Sequence, residues 1–262
     1  MNTSSEYNLQ KKIQGNGQVQ CNGNQGWHLE IPPGEAGRYR LAQLDDYGGL
    51  ARGAFPWPGP VQISLRARAA SRSVPGTWGF GLWNDPFGLA VIKGSKLRFP
   101  SLPNSAWFFF ASDSNYLSIQ DELPSNGQLA ATFQSPSKLP VKLLLGLPLF
   151  SLVFVPPMGR WLRRWLRQYI KQDARDFELD PCEWHSYEIE RGQERVTFKI
   201  DGQVIQETMT APKGPMGLVI WIDNQYASWQ PDGRIGFGTH ANHDAAWLQI
   251  DGLEMSPAVK TK

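Results

Sequence analysis

Period-two alternation dominates the chain. In "VQISLRARAA", Val61, Ile63, Leu65 and Ala67 fall on one face and Gln62, Ser64, Arg66 and Arg68 on the other, the pattern of a half-buried strand. Alternation around Asn-Gly in "QVQCNGNQGWHLEI" (18–31) predicts a hairpin, and Asp201-Gly202 separates two more alternating runs in the same way. Further strands are predicted over 77–84, 105–112, 115–120 and 127–134, and in "WHSYEIERG", "MGLVIWIDN" and "AAWLQIDGLEM". Roughly a dozen short strands with frequent turn signals predict an all-β sandwich or jelly roll. With no repeat and no composition break, residues 1–262 are expected to form a single domain.

One stretch breaks the pattern. Between about 135 and 180 an apolar run, Leu139 to Val155, is followed by Pro156-Pro157 and then by Trp161, Leu162, Trp165, Leu166, Tyr169 and Ile170 at helical spacing. Arg160, Arg163, Arg164, Arg167 and Lys171 fill the intervening positions, which predicts an amphipathic helix with a cationic side, inserted between two strands. The apolar run is too short and too proline-broken to span a bilayer.

Composition sharpens this picture. The 262 residues include 26 Gly, 20 Pro and 11 Trp, with 41% hydrophobic and 19% charged residues, so a folded, turn-rich protein is expected. A net charge of +2 is too small to imply a nucleic-acid partner. Cys21 and Cys182 form neither a metal-ligand spacing nor a disulfide framework. The polar start, "MNTSSEYNLQKKIQGNGQ", lacks the apolar core of a secretory signal, so the expected location is cytoplasmic, with peripheral attachment to a membrane an open alternative.

The second half carries a resemblance. "EWHSYEIERGQERVTFKIDGQVI" (183–205) resembles the segment of glycoside hydrolase family 16 and related concanavalin A-like lectin/glucanase domains in which an aromatic-His-x-Tyr strand precedes a hairpin ending in Asp-Gly. "PMGLVIWIDN" and "AAWLQIDGLEM" are similar to that family's next inner-sheet strand and closing strand, and "PGTWGFGLWN" (75–84) to its Trp-bearing cleft strand. The resemblance implies a concanavalin A-like jelly-roll sandwich of two antiparallel sheets. In the hydrolases the strand after the Trp-rich one carries Glu-x-Asp-x-(x)-Glu, whose alternate carboxylates reach the cleft. Retaining chemistry needs two of them about 5–5.5 Å apart. Here that strand reads "SAWFFFASDSN", with Trp107, Phe108, Phe109 and Phe110 where carboxylates are expected, and no Glu-x-Asp-x-Glu run occurs elsewhere. The resemblance therefore implies the fold without the activity.

Aromatic and amide residues along the presumed inner sheet suit sugar recognition, which pairs flat apolar faces with planar polar partners. The candidate ligand-binding set is Trp78, Trp83, Asp85, Trp107, Phe109, Trp221, Asp223, Asn224, Tyr226 and Trp229; filling of a sandwich core is the alternative for any single Trp. His240, His243 and Asp244 lie in a loop-like stretch and are read as ordinary polar residues. We expect no metal and no organic cofactor. For the insertion, Leu144, Leu147, Phe150, Phe154, Trp161, Arg163, Arg164, Trp165 and Arg167 are the candidates for membrane contact or for a lid, with a dimer interface the remaining alternative. Five cations near an anionic leaflet would contribute roughly 1 kcal/mol each.

The function expected from the sequence is a non-catalytic binding domain for a glycan or glycolipid, with peripheral membrane contact through the insertion. A pocket or enzyme for a hydrophobic small molecule under the helix, with Asp113, Asp223 or His240 as acid-base groups, is a second reading. A glycosidase with displaced carboxylates is a third. The ligand's identity, the pathway and the oligomeric state are not legible.

Overall fold

The computed structural model describes residues 8–23, 26–87, 98–136 and 154–258. The strands in chain order are β1 (Gln10–Gln14), β2 (Gln18–Asn22), β3 (Gly26–Ile31), β4 (Leu41–Asp45), β5 (Val61–Ala69), β6 (Thr77–Trp83), β7 (Ser105–Ala111) and β8 (Gly127–Gln134). Helix α1 (Pro156–Leu166) follows, and then β9 (Lys171–Asp176), β10 (His185–Arg191), β11 (Val196–Ile200), β12 (Gln203–Thr208), β13 (Gly217–Asp223), β14 (Gln225–Trp229), β15 (Ile235–Thr239) and β16 (Ala246–Pro257).

Two seven-stranded antiparallel sheets stack face to face, ordered β1-β4-β13-β6-β7-β8-β9 and β12-β11-β10-β5-β16-β3-β2. Strands distant in sequence lie side by side, as β4-β13-β6 and β5-β16-β3 do, which is jelly-roll topology. Alternation decides what lies between the sheets. β5 contributes Val61, Ile63, Leu65, Ala67 and Ala69, β6 contributes Trp78, Phe80 and Leu82, and β13 contributes Leu218, Ile220 and Ile222 to the principal core. The expected β11–β12 hairpin forms, with Asp201 and Gly202 both at positive φ (51° and 78°), the backbone a two-residue turn requires.

Three departures from the sequence reading have local causes. Asn115–Gln120 is not a strand; Tyr116 makes only an isolated parallel bridge to Ser228. Residues 171–176, placed within the insertion, form edge strand β9 paired to β8. Gln172, Ala174 and Asp176 lie on one face there, an alternation hidden by its charged neighbours. Trp78 is a core residue, 2% exposed and stacked on Phe110 at 3.5 Å between ring centroids, because its position on β6 points between the sheets.

Candidate functional site

Register fixes which residues share the face of the first sheet that is turned away from the principal core. Opposite one another across the strands lie Gln43, Trp221, Gly79, Phe109 and Leu129, and in the next row Asp45, Val219, Gly81, Trp107 and Ala131. This is the face on which the family resemblance would place a sugar cleft. Of the four residues at the β7 carboxylate positions, only Trp107 and Phe109 reach it; Phe108 and Phe110 pack in the principal core.

The sequence of β6 makes room for the rings. A Cβ on Gly79 would collide with the Phe108 carbonyl oxygen and lie 2.9 Å from the Trp221 ring, and one on Gly81 would collide with the Ala106 carbonyl oxygen and lie 2.6 Å from the Cα of Trp107, so the glycines let β7 approach closely and Gly79 also leaves space for the Trp221 indole. Trp107 then stands 5.6 Å from Phe109, 5.8 Å from Trp221, 5.9 Å from Trp83 and 6.3 Å from Phe133 between centroids. Trp221 donates its indole N–H to Thr77 Oγ1 (2.9 Å) and Trp83 donates to Tyr47 Oη (2.7 Å). Rings fill most of this face: Phe109, Phe133 and Trp221 are buried, while Trp83 and Trp107 are half-buried. A cavity of about 440 Å³ lies elsewhere, between the β1–β2 turn and the β3–β4 connection.

The polar candidates are engaged in structure. Asn224 is fully buried; its Oδ1 accepts from the Arg40 N–H (2.8 Å) and its Nδ2 donates to the carbonyls of Arg38 and His240. Asp223 accepts from the Thr77 N–H and hydroxyl, the Gln225 N–H and, at 3.3 Å, the Tyr39 hydroxyl. Burial pushes its carboxyl up to about 6 despite those donors. Asp85 pairs with Arg98 at 2.6 Å. Tyr226 packs its ring on His240 at 4.8 Å. None of these three carboxylate or amide groups is held open toward a ligand as the sequence reading expected, because each closes a loop at the rim.

Helix α1 lies over the β7–β9 side of this face. Leu166 and Ile170 bury against Phe133, with Leu162, Trp165, Trp229, Ile119, Leu102 and Trp107 around them. Its orientation differs from the expected one. Arg163, assigned to a solvent-facing cationic side, is 2% exposed. It donates to Asp121 Oδ1 (2.7 Å) and to the carbonyls of Ser118 and Trp229 (both 2.8 Å), and lies 5.4 Å over the Tyr116 ring. Arg167 pairs with Asp121 and Glu122. Trp161, expected on the apolar face that meets a membrane or the sheet, is 58% exposed. The carboxylates of the 118–122 loop, which no helical periodicity could reveal, turn the helix. Arg164 remains exposed and Trp165 half-buried. Of the other insertion candidates, Leu144, Leu147 and Phe150 lie outside the described residues, and Phe154 is exposed. Among the described residues no helix is long and apolar enough to cross a membrane, and no group of three or more His, Cys, Asp or Glu side chains has the placement to hold a metal ion.

Carboxylates on the cleft-side face can be placed by register. Among the described strands they are Asp45, Asp223 and Asp176. Asp223 lies opposite Leu41 and Asp45 opposite Val219, four residues along the same strand pair, or about 13 Å. Asp176 is on β9, four strands from β13, roughly 19 Å. Glycosidase pairs need about 5–5.5 Å for retention or about 6.5–9.5 Å for inversion. Asp45 is moreover tied to Lys12 at 2.9 Å. The sequence reading missed one candidate: with one residue more in the spacing, Glu-x-Asp-x-x-Glu does occur, at Glu178, Asp180 and Glu183. That run lies in the β9–β10 connection and not on a cleft strand; Pro181 interrupts it, and Asp180 pairs with Arg72 at 2.6 Å, which holds its carboxyl down to about 2. Leu162 and Leu166, which helical spacing marked as apolar positions, line the cleft side, and with them residues that the sequence reading did not single out, among them Tyr39, Leu41, Tyr47, Phe55, Leu129 and Phe133; the alternation of β8 signalled Leu129 and Phe133.

No protein-family model and no curated protein matches the chain. Solved structures do. The β-glucanase of Bacillus licheniformis matches with a TM-score of 0.50 and 8% identity, over 95% of this chain and 92% of that one. An endo-β-galactosidase from Clostridium perfringens that releases GlcNAcα1-4Gal matches with a TM-score of 0.49 and 10% identity, over 95% and 58%. A legume lectin-like domain from Entamoeba histolytica matches with a TM-score of 0.46 and 9% identity, over 96% and 91%. At these identities the likeness is one of fold alone, and the fold, by its two antiparallel sheets and its match to the glucanase, is the concanavalin A-like jelly roll.

Proposed function

We propose that the protein is a non-catalytic binding domain for a glycan or glycolipid, held at a membrane surface by peripheral contact through α1. The observation that carries the reading is the composition of the cleft-side face. Half-buried Trp83 and Trp107 offer ring surface suited to stacking on sugar faces, while the strand carboxylates of that face are roughly 13 Å or more apart and Asp85 at its rim is held by Arg98. Membrane contact is supported by the exposed apolar residues of α1. Pairing of Arg163 and Arg167 with Asp121 and Glu122 leaves Arg160, Arg164 and Lys171 for lipid, about 3 kcal/mol of attraction in place of five.

The test is a glycan array followed by titration calorimetry on the hits. Trp107→Ala and Trp83→Ala are expected to weaken binding at least tenfold, whereas Trp184→Ala, beside Arg66 and Arg68 of the second sheet, leaves it unchanged. Release of reducing ends from a β-glucan by the intact chain would overturn the non-catalytic reading.

A second reading has its own observation: α1 covers ring-lined surface with Leu162, Trp165 and Leu166, as a lid over an apolar small molecule does. Native mass spectrometry showing a retained lipid or pigment, together with an array without hits, would favour it.

A further inference from the structure

The outward side of α1 is continued by a second element. Phe154, Met158 and Trp161 are 49%, 41% and 58% exposed, and Val155 is exposed beside them. Phe237 on β15, 65% exposed, stands 6.3 Å from Phe154 between ring centroids. The hairpin β14–β15 is built to hold this arrangement. Gly233 in its turn has φ +91° and lies where any Cβ would collide with the α1 backbone at Pro156 and Arg160, and Arg160 Nε donates to the Asp232 carbonyl (3.2 Å). Helix and hairpin therefore present one apolar surface.

The charge around that surface is one-sided. No Asp or Glu occurs between 154 and 172. Arg160 and Arg164 are exposed on α1, and at the hairpin tip Asp232 is paired with Arg234 at 2.6 Å. The carboxylates of the neighbouring loop, Asp121 and Glu122, are engaged by Arg163 and Arg167 on the opposite side of the helix. A surface of exposed Trp, Phe and Met rimmed by exposed arginines complements an interface that is apolar within and negative at its boundary.

We propose that α1 and the β14–β15 hairpin together form a docking surface for an anionic lipid bilayer, with Trp161 and Phe237 entering the interface and Arg160 and Arg164 against the headgroups. The inference rests on the membrane contact proposed above and goes beyond it in naming the hairpin and the lipid class.

The experiment is co-sedimentation of the full chain with vesicles of pure phosphatidylcholine and with vesicles containing phosphatidylglycerol, alongside sedimentation velocity without lipid. Binding to the anionic vesicles and little to the neutral ones is expected. Trp161→Ser and Phe237→Ser should each weaken it severalfold, and Arg164→Glu, which removes one positive charge and adds a negative one, about 30-fold. Met209→Ser, at a 65% exposed residue beyond β12, should change nothing. Equal binding to both vesicle types, or an unaltered Phe237→Ser variant, overturns this inference while leaving membrane contact standing. No binding to either vesicle overturns both. A dimer in solution that Trp161→Ser and Phe237→Ser render monomeric assigns the surface to a second copy and also overturns the inference.

Discussion

Asp223 illustrates how a buried carboxylate can be a cost that its hydrogen bonds only partly offset. Four donors reach it, yet desolvation outweighs them and its carboxyl titrates near 6. Asp46, bonded to the Trp57 indole N–H (2.6 Å) and the Leu218 N–H, is likewise raised to about 6 by burial. A carboxyl whose folded pKa lies above the unfolded value near 3.8 binds more protons in the native state between those two pH values. Its contribution to stability is therefore complete at low pH and declines as pH rises from about 4 to 6, by up to about 3 kcal/mol for each group. Asp223→Asn keeps the acceptor oxygen and removes the charge. Relative to the wild type, this variant should be more stable at pH 7 than at pH 4, as read from urea midpoints at the two values; an equal difference at both would contradict the assignment.

Among the elements, β6 and α1 show what a sequence pattern can and cannot disclose. "TWGFGLW" announced a strand, and the fold class followed from many such alternations together with the resemblance at 183–205. Which face each Trp would take was not decided by alternation alone, since phase relative to the core is set by partners across the sheet. Trp78 therefore went inward and Trp221 to the cleft side. For α1 the helical spacing was legible but not its rotation, because the carboxylates that hold Arg163 and Arg167 come from a loop more than forty residues earlier. The glycines of β6 carry a prediction at this scale. Gly79→Ala places a methyl against the Phe108 carbonyl oxygen of β7 and 2.9 Å from the Trp221 ring, and relief of the two clashes, by parting β6 from β7 and shifting the indole, should cost about 1–3 kcal/mol. It should also alter the near-ultraviolet circular dichroism; an unchanged spectrum and midpoint would mean that the rings are not packed across the strand.

At the scale of the whole molecule, the first sheet separates two unequal regions. Between the sheets lies a core of Ile, Leu, Val and Phe contributed by strands of both layers, whereas α1 is held on the opposite side by the small group of Phe133, Leu166 and Ile170 and by the ion pairs of Arg163 and Arg167. Opening α1 need not disturb the sandwich, and a region whose apolar side chains are mostly only half-buried opens at lower free energy than the whole. Asp121 is the place to test this, because it partners both arginines. Asp121→Asn leaves the buried Arg163 guanidinium without its carboxylate, a loss of about 3–5 kcal/mol where the charge stays buried. The helix escapes most of that loss by lifting away into water. Hydrogen exchange should therefore accelerate by at least tenfold at the α1 amides of Asp121→Asn while β5, β10 and β16 keep their wild-type rates, and exposure of Trp165 and Trp229 should shift indole fluorescence to the red. Equal acceleration in helix and strands would instead make α1 an integral part of one cooperative unit.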